Sequence, residues 1–296
     1  MPTCAPKATL IISVYKDVRN LNCILSALVY QSVKSFDIII SEDGESPEMA
    51  KCISERPLMQ QRIFHLTQDD VGFRKTRALN RAVIAARTEL LVFIDGDCVP
   101  HPRFMEGHIS SNRPRTVSVG RRVELGPSYS ERLIVDPSLV LRWSSNVRFF
   151  KDLVNLHRDG TKNPEAGVYS TLLQQIRCFK RPPIVGCNFS ANKSDLERIN
   201  GFNEEYTSIG TGEDTDLDWR LNASGCINQD VKHITPVFHL FHKRIWPSQS
   251  ENGDILERSL RNNLWRCYRG LDSHRSLIIE AKRTAIKSKI NEDVLL

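Results

Sequence analysis

The chain has 296 residues, of which 40% are hydrophobic and 26% charged, and its formal net charge is +6. This composition is that of an ordinary globular protein with enough residues to bury a core without disulfide staples, which excludes fibrous and low-complexity classes. The first seven residues lack the apolar region of a signal peptide and no run reaches the ~20 apolar residues of a membrane-spanning helix, so we expect a cytoplasmic protein.

The first third of the chain alternates strand and helix patterns. Apolar and β-branched runs predict strands, and apolar residues at helical spacing predict helices. The strands are expected at 8–14, 36–41, 62–67 and 90–94, and the helices near 21–29, 47–55 and 73–86. This alternation predicts an α/β fold with a mixed, mostly parallel sheet flanked by helices. Ligands of such sheets bind beyond the carboxyl ends of the strands.

The rest of the chain is harder to assign. We expect a strand at 116–123, helical pieces at 133–150 and 169–176, and an ordered stretch from 184 to about 242. Residues 256–290 have a helical pattern and carry nine Lys and Arg against three Asp and Glu.

Positive charge is concentrated in the middle of the chain. Residues 113–181 contain 13 Lys and Arg against 6 Asp and Glu. This surplus suits a sugar diphosphate, a phosphorylated lipid, an anionic glycan or a nucleic acid, although a solvated surface explains it equally well. The 8 cysteines include no C-x-x-C pair, so we expect reduced thiols rather than zinc ligands or disulfides.

Two carboxylates follow the most apolar predicted strand, in the sequence Asp95-Gly96-Asp97. A turn at a strand end can direct both into one crevice, where they suit a Mn²⁺ or Mg²⁺ ion that also binds a diphosphate. A lone Asp-x-Asp is also common in solvated turns. Asp43, in the SEDGES segment after the second strand, faces the same edge, where it can accept the imide N–H of uracil or a ribose hydroxyl. The alternative for Asp43 is a simple Asp-Gly turn.

A second acidic cluster lies in the segment GEDTDLDWRL, residues 212–221. Acids in the first turn of a helix favour its dipole, which explains one or two of the four carboxylates. A carboxylate here can take the proton from an acceptor hydroxyl. Further along, His239 and His242 can complete a metal shell, and both reach one side only if the segment turns.

Together these motifs resemble the inverting family-2 glycosyltransferases of the GT-A fold. The matching motifs, in chain order, are IISVY, SEDGES, GFRKTRALNRAV, FIDGDC, GFNEEY and GEDTDLDWRL, and the similarity covers about residues 8–245. The last two also resemble the galactosyltransferase-like C-terminal segment of chondroitin polymerases and β-1,4-galactosyltransferases. The resemblance implies a Rossmann-like GT-A catalytic domain at 1–250, with a nucleotide-binding half at about 8–123 and an acceptor half at about 124–250. A helical C-terminal extension at 251–296 would follow.

The resemblance also implies roles for individual residues. On the donor side, Asp43 would contact uracil or ribose, Asp95 would lie against ribose and metal with Gly96 beside it, and Asp97 would bind the metal. Either His239 or His242 would be the third ligand, with the spacing favouring His239. The remaining nucleotide-sugar contacts would come from Tyr15, Arg74, Arg77 and Asn80.

On the acceptor side, Asp214 would be the general base and Glu213 would position the acceptor. The side chains of Phe202 and Trp219 would form apolar walls of the sugar site, or would pack in the core. Two departures stand out: the first strand ends Ser13-Val14-Tyr15-Lys16 instead of Pro-x-Tyr-Asn, and the Gln-x-x-Arg-Trp motif of processive synthases is missing.

The expected function is that of a non-processive, inverting, metal-dependent hexosyl- or N-acetylhexosaminyltransferase. It would use a UDP-sugar and a glycan or lipid-linked acceptor, in surface polysaccharide or glycoconjugate synthesis, with no nucleic-acid partner. Residues 113–181 would face the acceptor, and the basic tail would either rest on the inner face of the membrane or dock as a helix on the catalytic domain.

Two other classes of protein are the alternatives. A sugar nucleotidyltransferase would have a Gly-rich basic loop early in the chain, and none is visible at 14–20. A non-catalytic glycan- or nucleic-acid-binding module leaves the acidic clusters without a role.

Overall fold

A computed structural model describes residues 5–56, 61–177, 180–208, 212–243 and 252–275. Four strands and three helices alternate through the first third of the chain, as predicted. The strands are β1 (Ala8–Val14), β2 (Phe36–Glu42), β3 (Ile63–Leu66) and β4 (Leu90–Asp95), and the helices are α1 (Val18–Leu28), α2 (Pro47–Ser54) and α3 (Lys75–Ala85).

Local sequence explains where these elements form. The Asp17 carboxylate accepts the N–H of Asn20 at 2.9 Å at the start of α1, and the Ser46 hydroxyl accepts the N–H of Met49 at 3.2 Å before α2. Such caps satisfy N–H groups that the first turn of a helix leaves unpaired. Strands β1, β2 and β4 are almost entirely buried, as expected for a sheet covered on both faces.

The remainder of the described chain adds shorter elements. The strands are β5 (Cys98–Pro100), β6 (Thr116–Val119), β7 (Arg122–Glu124), β8 (Phe189–Asn192), β9 (Ile227–Asp230) and β10 (Val237–His239). The helices are α4 (Phe104–Ser111), α5 (Pro127–Val135), α6 (Leu139–Trp143), α7 (Asn146–Arg158), α8 (Thr171–Arg177), α9 (Lys193–Arg198), α10 (Glu213–Ala223) and α11 (Asn252–Arg261). Short 3₁₀ turns lie at Pro164–Gly167 and Leu271–His274.

The strands form two sheets. The main sheet has seven strands in the order β3-β2-β1-β4-β8-β6-β9, and every neighbouring pair is parallel except the two that involve β8. The small sheet has the order β5-β10-β7. The predicted mixed, mostly parallel α/β sheet is therefore confirmed.

The expectation of one strand over 116–123 is wrong. The chain leaves the main sheet after Val119 and joins the small sheet at Arg122. Gly120 lies at the break: its N–H donates to the Asn188 carbonyl at 2.9 Å, and a Cβ on it would lie 2.2 Å from the Asn188 side chain. This close approach of two segments distant in sequence diverts the strand, and the local pattern carries no sign of it.

Alternate residues of the central strands supply two cores. Leu10, Ile12 and Val92 belong to a core on one face of the main sheet that also includes α1 and α5–α7. Ile11 and Phe93 belong to the core on the other face, together with α3 and α10. The period of two along each strand separates the cores.

The C-terminal segment is helical in part. Helix α11 ends at Arg261, and Asn263 has a positive φ of 51°, which interrupts the helix predicted over 256–290. The basic tail beyond residue 275 lies outside the described residues, so its membrane contact stays a prediction. Within the described residues, no helix combines the length and apolar character needed to cross a bilayer.

Candidate active site

The carboxyl ends of β1, β2 and β4 form one edge of a crevice. Parallel pairing aligns Ser13 with Asp95, and the N–H of Asp43 donates to the carbonyl of Val14 at 3.0 Å. Gly96 lies against β1, because a Cβ on it would be 2.8 Å from the Ser13 carbonyl oxygen. Asp43 and Asp95 therefore occupy the edge that the sheet rule predicts.

Three potential metal ligands converge beside this edge. The Oδ2 atom of Asp97 lies 3.3 Å from Nε2 of His239 and 3.3 Å from Nε2 of His242, and the ligand atoms of the three residues all lie within 4.8 Å of one another. Both histidines reach the same carboxylate because the chain turns after β10, where the N–H of Leu240 donates to the Asp97 carbonyl at 2.8 Å. The two histidines that sequence left as alternatives are thus brought together.

The electrostatics of this triad suit a cation. Burial alone raises the pKa of Asp97, but hydrogen bonds from His239 and His242 outweigh it and hold the pKa below its ordinary value. His239 is almost fully buried, whereas His242 is exposed and its Nδ1 lies 3.3 Å from the Lys243 carbonyl. That contact leaves Nε2 of His242 directed at Asp97, the arrangement by which an outer hydrogen bond orients a ligating imidazole.

Asp95 is held by a lysine that sequence analysis did not single out. The Nζ atom of Lys75 lies 2.8 Å from Oδ1 of Asp95, and among the described residues Asp95 is not part of the three-ligand group. The structure thus gives the predicted metal ligand Asp95 an ammonium partner. The GFRKTRALN motif contains three basic residues, Arg74, Lys75 and Arg77. Their order in the sequence does not show which of them faces the crevice, whereas the contact with Asp95 identifies Lys75.

The second acidic pair, Glu213 and Asp214, begins α10. Gly212 precedes it with a φ of 129°, a conformation that favours glycine. The N–H of Gly186 donates to Oδ2 of Asp214 at 2.8 Å, and a Cβ on Gly186 would lie 2.4 Å from Oδ1. A glycine at position 186 is therefore required for the carboxylate to approach this closely.

Burial raises the pKa of both acids above the ordinary range. For Asp214, the nearby Lys75 opposes this shift while Asp95 adds to it. For Glu213, Lys75 again lowers the pKa and Asp214 raises it. In turn, burial lowers the pKa of Lys75, but Asp95, Asp214 and Glu213 more than compensate, so the lysine stays charged. The four groups form one electrostatic cluster in which a single cation offsets three carboxylates.

Asp43 is oriented by two neighbours at the base of the crevice. Its Oδ1 accepts from the Gln68 amide at 2.7 Å and its Oδ2 accepts from the backbone N–H of Arg74 at 2.7 Å. Arg74 therefore acts on Asp43 through its main chain, and its guanidinium donates to the Asp69 carbonyl. Tyr15 is 53% exposed and its ring lies beside Gly44 at the crevice mouth.

Arg77 and Asn80 lie on the other side of α3. Residues advance about 100° each around a helix, so Arg77 points roughly opposite to Lys75, which faces the crevice. Asn80 is completely buried, and its amide bonds the N–H and carbonyl of Phe202 and the carboxylate of Glu204, each at 2.8 Å. The Asn80 amide therefore holds the GFNEEY segment against α3, and its nucleotide contact stays a prediction.

We expect Asn80→Ala to destabilise the protein by about 2–3 kcal/mol, because it leaves buried main-chain groups of Phe202 without partners. The free energy of unfolding in urea measures this. The exposed Asn155 on α7 provides the control, and Asn155→Ala should cost nothing measurable. Equal stability of the two variants would refute the structural role of Asn80.

The two predicted aromatic walls differ in position. Phe202 is buried and its ring meets Phe93 edge to face at 5.5 Å, so it packs in the core. Trp219 is half-buried on α10.

Several basic side chains of region 113–181 are engaged in ion pairs, so fewer of them are free to bind an anionic partner than the charge of the region suggests. Arg115 pairs with Asp195 at 2.9 Å and Arg177 with Asp230 at 2.6 Å, and both acids come from outside the region. Arg142 also pairs internally with Asp152 at 3.1 Å. Charge alone therefore does not identify this region as the acceptor surface.

Comparison with known sequences places these residues in a family. Residues 9–199 match the profile described as glycosyl transferase family 2, and residues 176–243 match the profile described as N-terminal domain of galactosyltransferase. Validoxylamine A glucosyltransferase from Streptomyces hygroscopicus subsp. jinggangensis is 23% identical over 289 residues, which cover 93% of this chain and 63% of that protein. The chain thus spans somewhat less than two thirds of this relative.

Two solved structures share the fold. The mannosyltransferase PcManGT from Pyrobaculum calidifontis, in complex with GDP-Man and Mn²⁺, has a TM-score of 0.51 and 16% identity over 82% of this chain and 59% of its own. GalNAc-T7 with UDP, GalNAc and Mn²⁺ has a TM-score of 0.57 and 10% identity over 94% of this chain and 55% of its own. At these identities the likeness concerns the fold.

Proposed function

Because this chain belongs to glycosyl transferase family 2, we propose that it is an inverting, metal-dependent, non-processive hexosyl- or N-acetylhexosaminyltransferase. Its donor is a UDP-sugar and its acceptor a hydroxyl of a glycan or lipid-linked glycan, in surface polysaccharide or glycoconjugate synthesis. The observation that carries the proposal is that the potential metal ligands Asp97, His239 and His242 lie together beside the crevice. In the same crevice, Lys75 bonds Asp95 and interacts electrostatically with Asp214.

In this proposal, the nucleotide binds at the carboxyl ends of β1 and β2. The Asp43 carboxylate is held by two donors, and each of its oxygens keeps a lone pair that can accept an N–H of uracil or a ribose hydroxyl. The exposed ring of Tyr15 offers a face against which the base can stack. Gly96 permits close approach of the β4 turn to the same pocket.

The metal in this proposal is bound by Asp97, His239 and His242. One carboxylate and two imidazoles suit Mn²⁺ better than Mg²⁺, which prefers oxygen ligands. The two solved structures of the same fold contain Mn²⁺ with GDP-Man and with UDP. A bound divalent cation neutralises charge on the departing diphosphate, so no side chain has to protonate it.

Transfer is a single displacement. Asp214 removes the proton of the acceptor hydroxyl as its oxygen attacks the anomeric carbon, and the bond to the diphosphate breaks with its electron pair leaving on the diphosphate. Attack from the opposite face converts an α-linked donor into a β-linked product. The raised pKa of Asp214 suits a general base, because a base is most effective when its pKa approaches the working pH.

Glu213 and Lys75 support this step. Glu213 adjoins the base and orients the acceptor hydroxyl. The Lys75 ammonium opposes the rise in pKa that burial causes at Glu213 and Asp214, and it positions Asp95 through their 2.8 Å hydrogen bond. The alternatives of a nucleotidyltransferase and a non-catalytic binding module have no observation in their favour.

We expect the protein to release UDP from one member of a panel of UDP-sugars with Mn²⁺, more slowly with Mg²⁺, and not with EDTA. Coupled detection of UDP measures this. Calorimetry of UDP with and without Mn²⁺ covers the case in which turnover needs an acceptor. Absence of metal-dependent binding of UDP would overturn the proposed donor, and titrations with GDP and dTDP would then show whether another nucleotide binds.

A further inference from the structure

A separate cavity lies on the far side of α3 from the metal triad. Its volume is about 240 Å³, and its walls come from the first turn of α3, the 204–207 segment and the 269–274 segment. This is smaller than the roughly 300 Å³ at which pockets for drug-sized ligands begin, so it suits one sugar unit or one phosphate ester.

Three guanidinium groups line this cavity, those of Arg74, Arg77 and Arg269. The Nε atom of Arg74 is buried and has no hydrogen-bond partner within the described ranges. In the same parts of the chain, Arg77 and Arg269 have no side-chain hydrogen bond or ion pair. A buried N–H without a partner is rare in proteins and indicates that a ligand or a water supplies its acceptor.

Glu204 is the acidic residue in the cavity lining, and its carboxylate already has hydrogen-bond partners. Oε1 of Glu204 lies 2.7 Å from Nε2 of His274 and accepts from the Asn80 amide at 2.8 Å. Burial raises the pKa of Glu204, but His274, Asn80 and Arg77 together hold it below the ordinary value, so the group is ionised. Three guanidinium groups against one carboxylate leave a net positive cavity.

Neutral donors complete the lining. Thr76, Thr207 and Ser273, which carry hydroxyl groups, also line the cavity. Guanidinium and hydroxyl donors around one small space are the means by which proteins bind phosphate and carboxylate groups.

We propose that this cavity is a second, metal-independent site that binds the phosphate or carboxylate group of a small anionic sugar. The proposal rests on the charge and size of the cavity and is independent of the donor site. Within the described residues, the group of three potential metal ligands is that of Asp97, His239 and His242, and the arginine cavity contributes none of them, so anion binding there should persist in EDTA.

The test is calorimetric titration of the full chain in EDTA with glucose 6-phosphate, glucuronate and uncharged glucose. We expect at least one anionic sugar to bind and glucose not to bind. Binding of the phosphate ester indicates that the cavity accepts a phosphate, and binding of glucuronate indicates that it accepts a carboxylate. If neither anionic sugar binds, or if glucose binds as well as they do, the anion site is refuted.

Variants locate the site. Arg269→Glu reverses an exposed charge in the cavity and should weaken anion binding at least tenfold, and Arg77→Gln should also weaken it. Arg87→Glu, at an exposed position just after the C-terminal end of α3, is the matched control and should have no effect. An anion affinity unchanged by Arg269→Glu would overturn the cavity assignment. Metal-dependent UDP binding, measured on the same samples, tests the donor proposal separately, and Arg269→Glu should leave it intact.

Discussion

Replacing Asp214 with asparagine is expected to lower kcat by about 100- to 10,000-fold, the usual contribution of a positioned general base. Asparagine has nearly the same shape and keeps an oxygen that can accept the N–H of Gly186, so the start of α10 is preserved. It cannot take a proton from the acceptor. Metal-dependent binding of UDP should therefore be unchanged while turnover collapses.

The pH dependence gives a second readout. Burial raises the pKa of Asp214, so activity is expected to fall as the pH drops through a value above that of an ordinary aspartate. This acid limb should be absent from the residual activity of Asp214→Asn.

Measuring the stability of Asp214→Asn shows whether a loss of turnover comes from lost catalysis or from unfolding. A carboxyl pKa raised in the folded state means that the ionised form destabilises the fold at neutral pH, so Asp214→Asn should unfold at the same or a higher denaturant concentration. The exposed Asp254 of α11 provides a matched control, and Asp254→Asn should keep full turnover. Near-normal turnover of Asp214→Asn would remove its role as the base.

Replacing Asp97 with alanine should abolish metal-dependent UDP binding and lower turnover by roughly a thousandfold, because several kcal/mol of charge stabilisation on the diphosphate are lost. Asp97 lies 3.3 Å from each histidine and is the one anion of the triad. Without it, only the two imidazoles remain and the affinity for Mn²⁺ falls.

The histidines test the same site in a graded way. His239→Ala and His242→Ala should each weaken Mn²⁺ binding less than Asp97→Ala does, since each leaves a carboxylate and one imidazole. Titration of Mn²⁺ followed by electron paramagnetic resonance measures the affinities. Asp254→Ala is the control. Wild-type affinity for Mn²⁺ in Asp97→Ala would show that the ion is bound elsewhere.

The fold was largely predictable because its signals are local. The apolar runs of β1, β2 and β4 and the helical spacing in α1 and α3 reflect burial on the faces of one sheet, and burial is recorded in the residues themselves. Residues 116–123 were misassigned because the break at Gly120 depends on Asn188, 68 positions later in the chain.

The positions of the acidic site residues could be predicted from the sequence, but the side chains that contact them could not. The acids after β2 and β4 were found because parallel strands end at the same edge of the sheet. Whether His239 or His242 reaches Asp97 depends on the turn after β10, and that turn depends on pairing with the Asp97 backbone. The role of Lys75 was missed because its partners Asp95 and Asp214 are distant in sequence.

The family, the mostly parallel sheet, the acids at the ends of β2 and β4 and the acids that begin α10 are all recorded in the sequence, because composition, periodicity and motif spacing are properties of neighbouring residues. The folded structure was needed to show that both histidines join Asp97, that Lys75 links Asp95 to Asp214, and that Asn80 supports the fold. It was also needed to show that Arg77 faces a second cavity. These depend on distances between segments far apart in the chain, which only packing of the whole sheet and its helices sets.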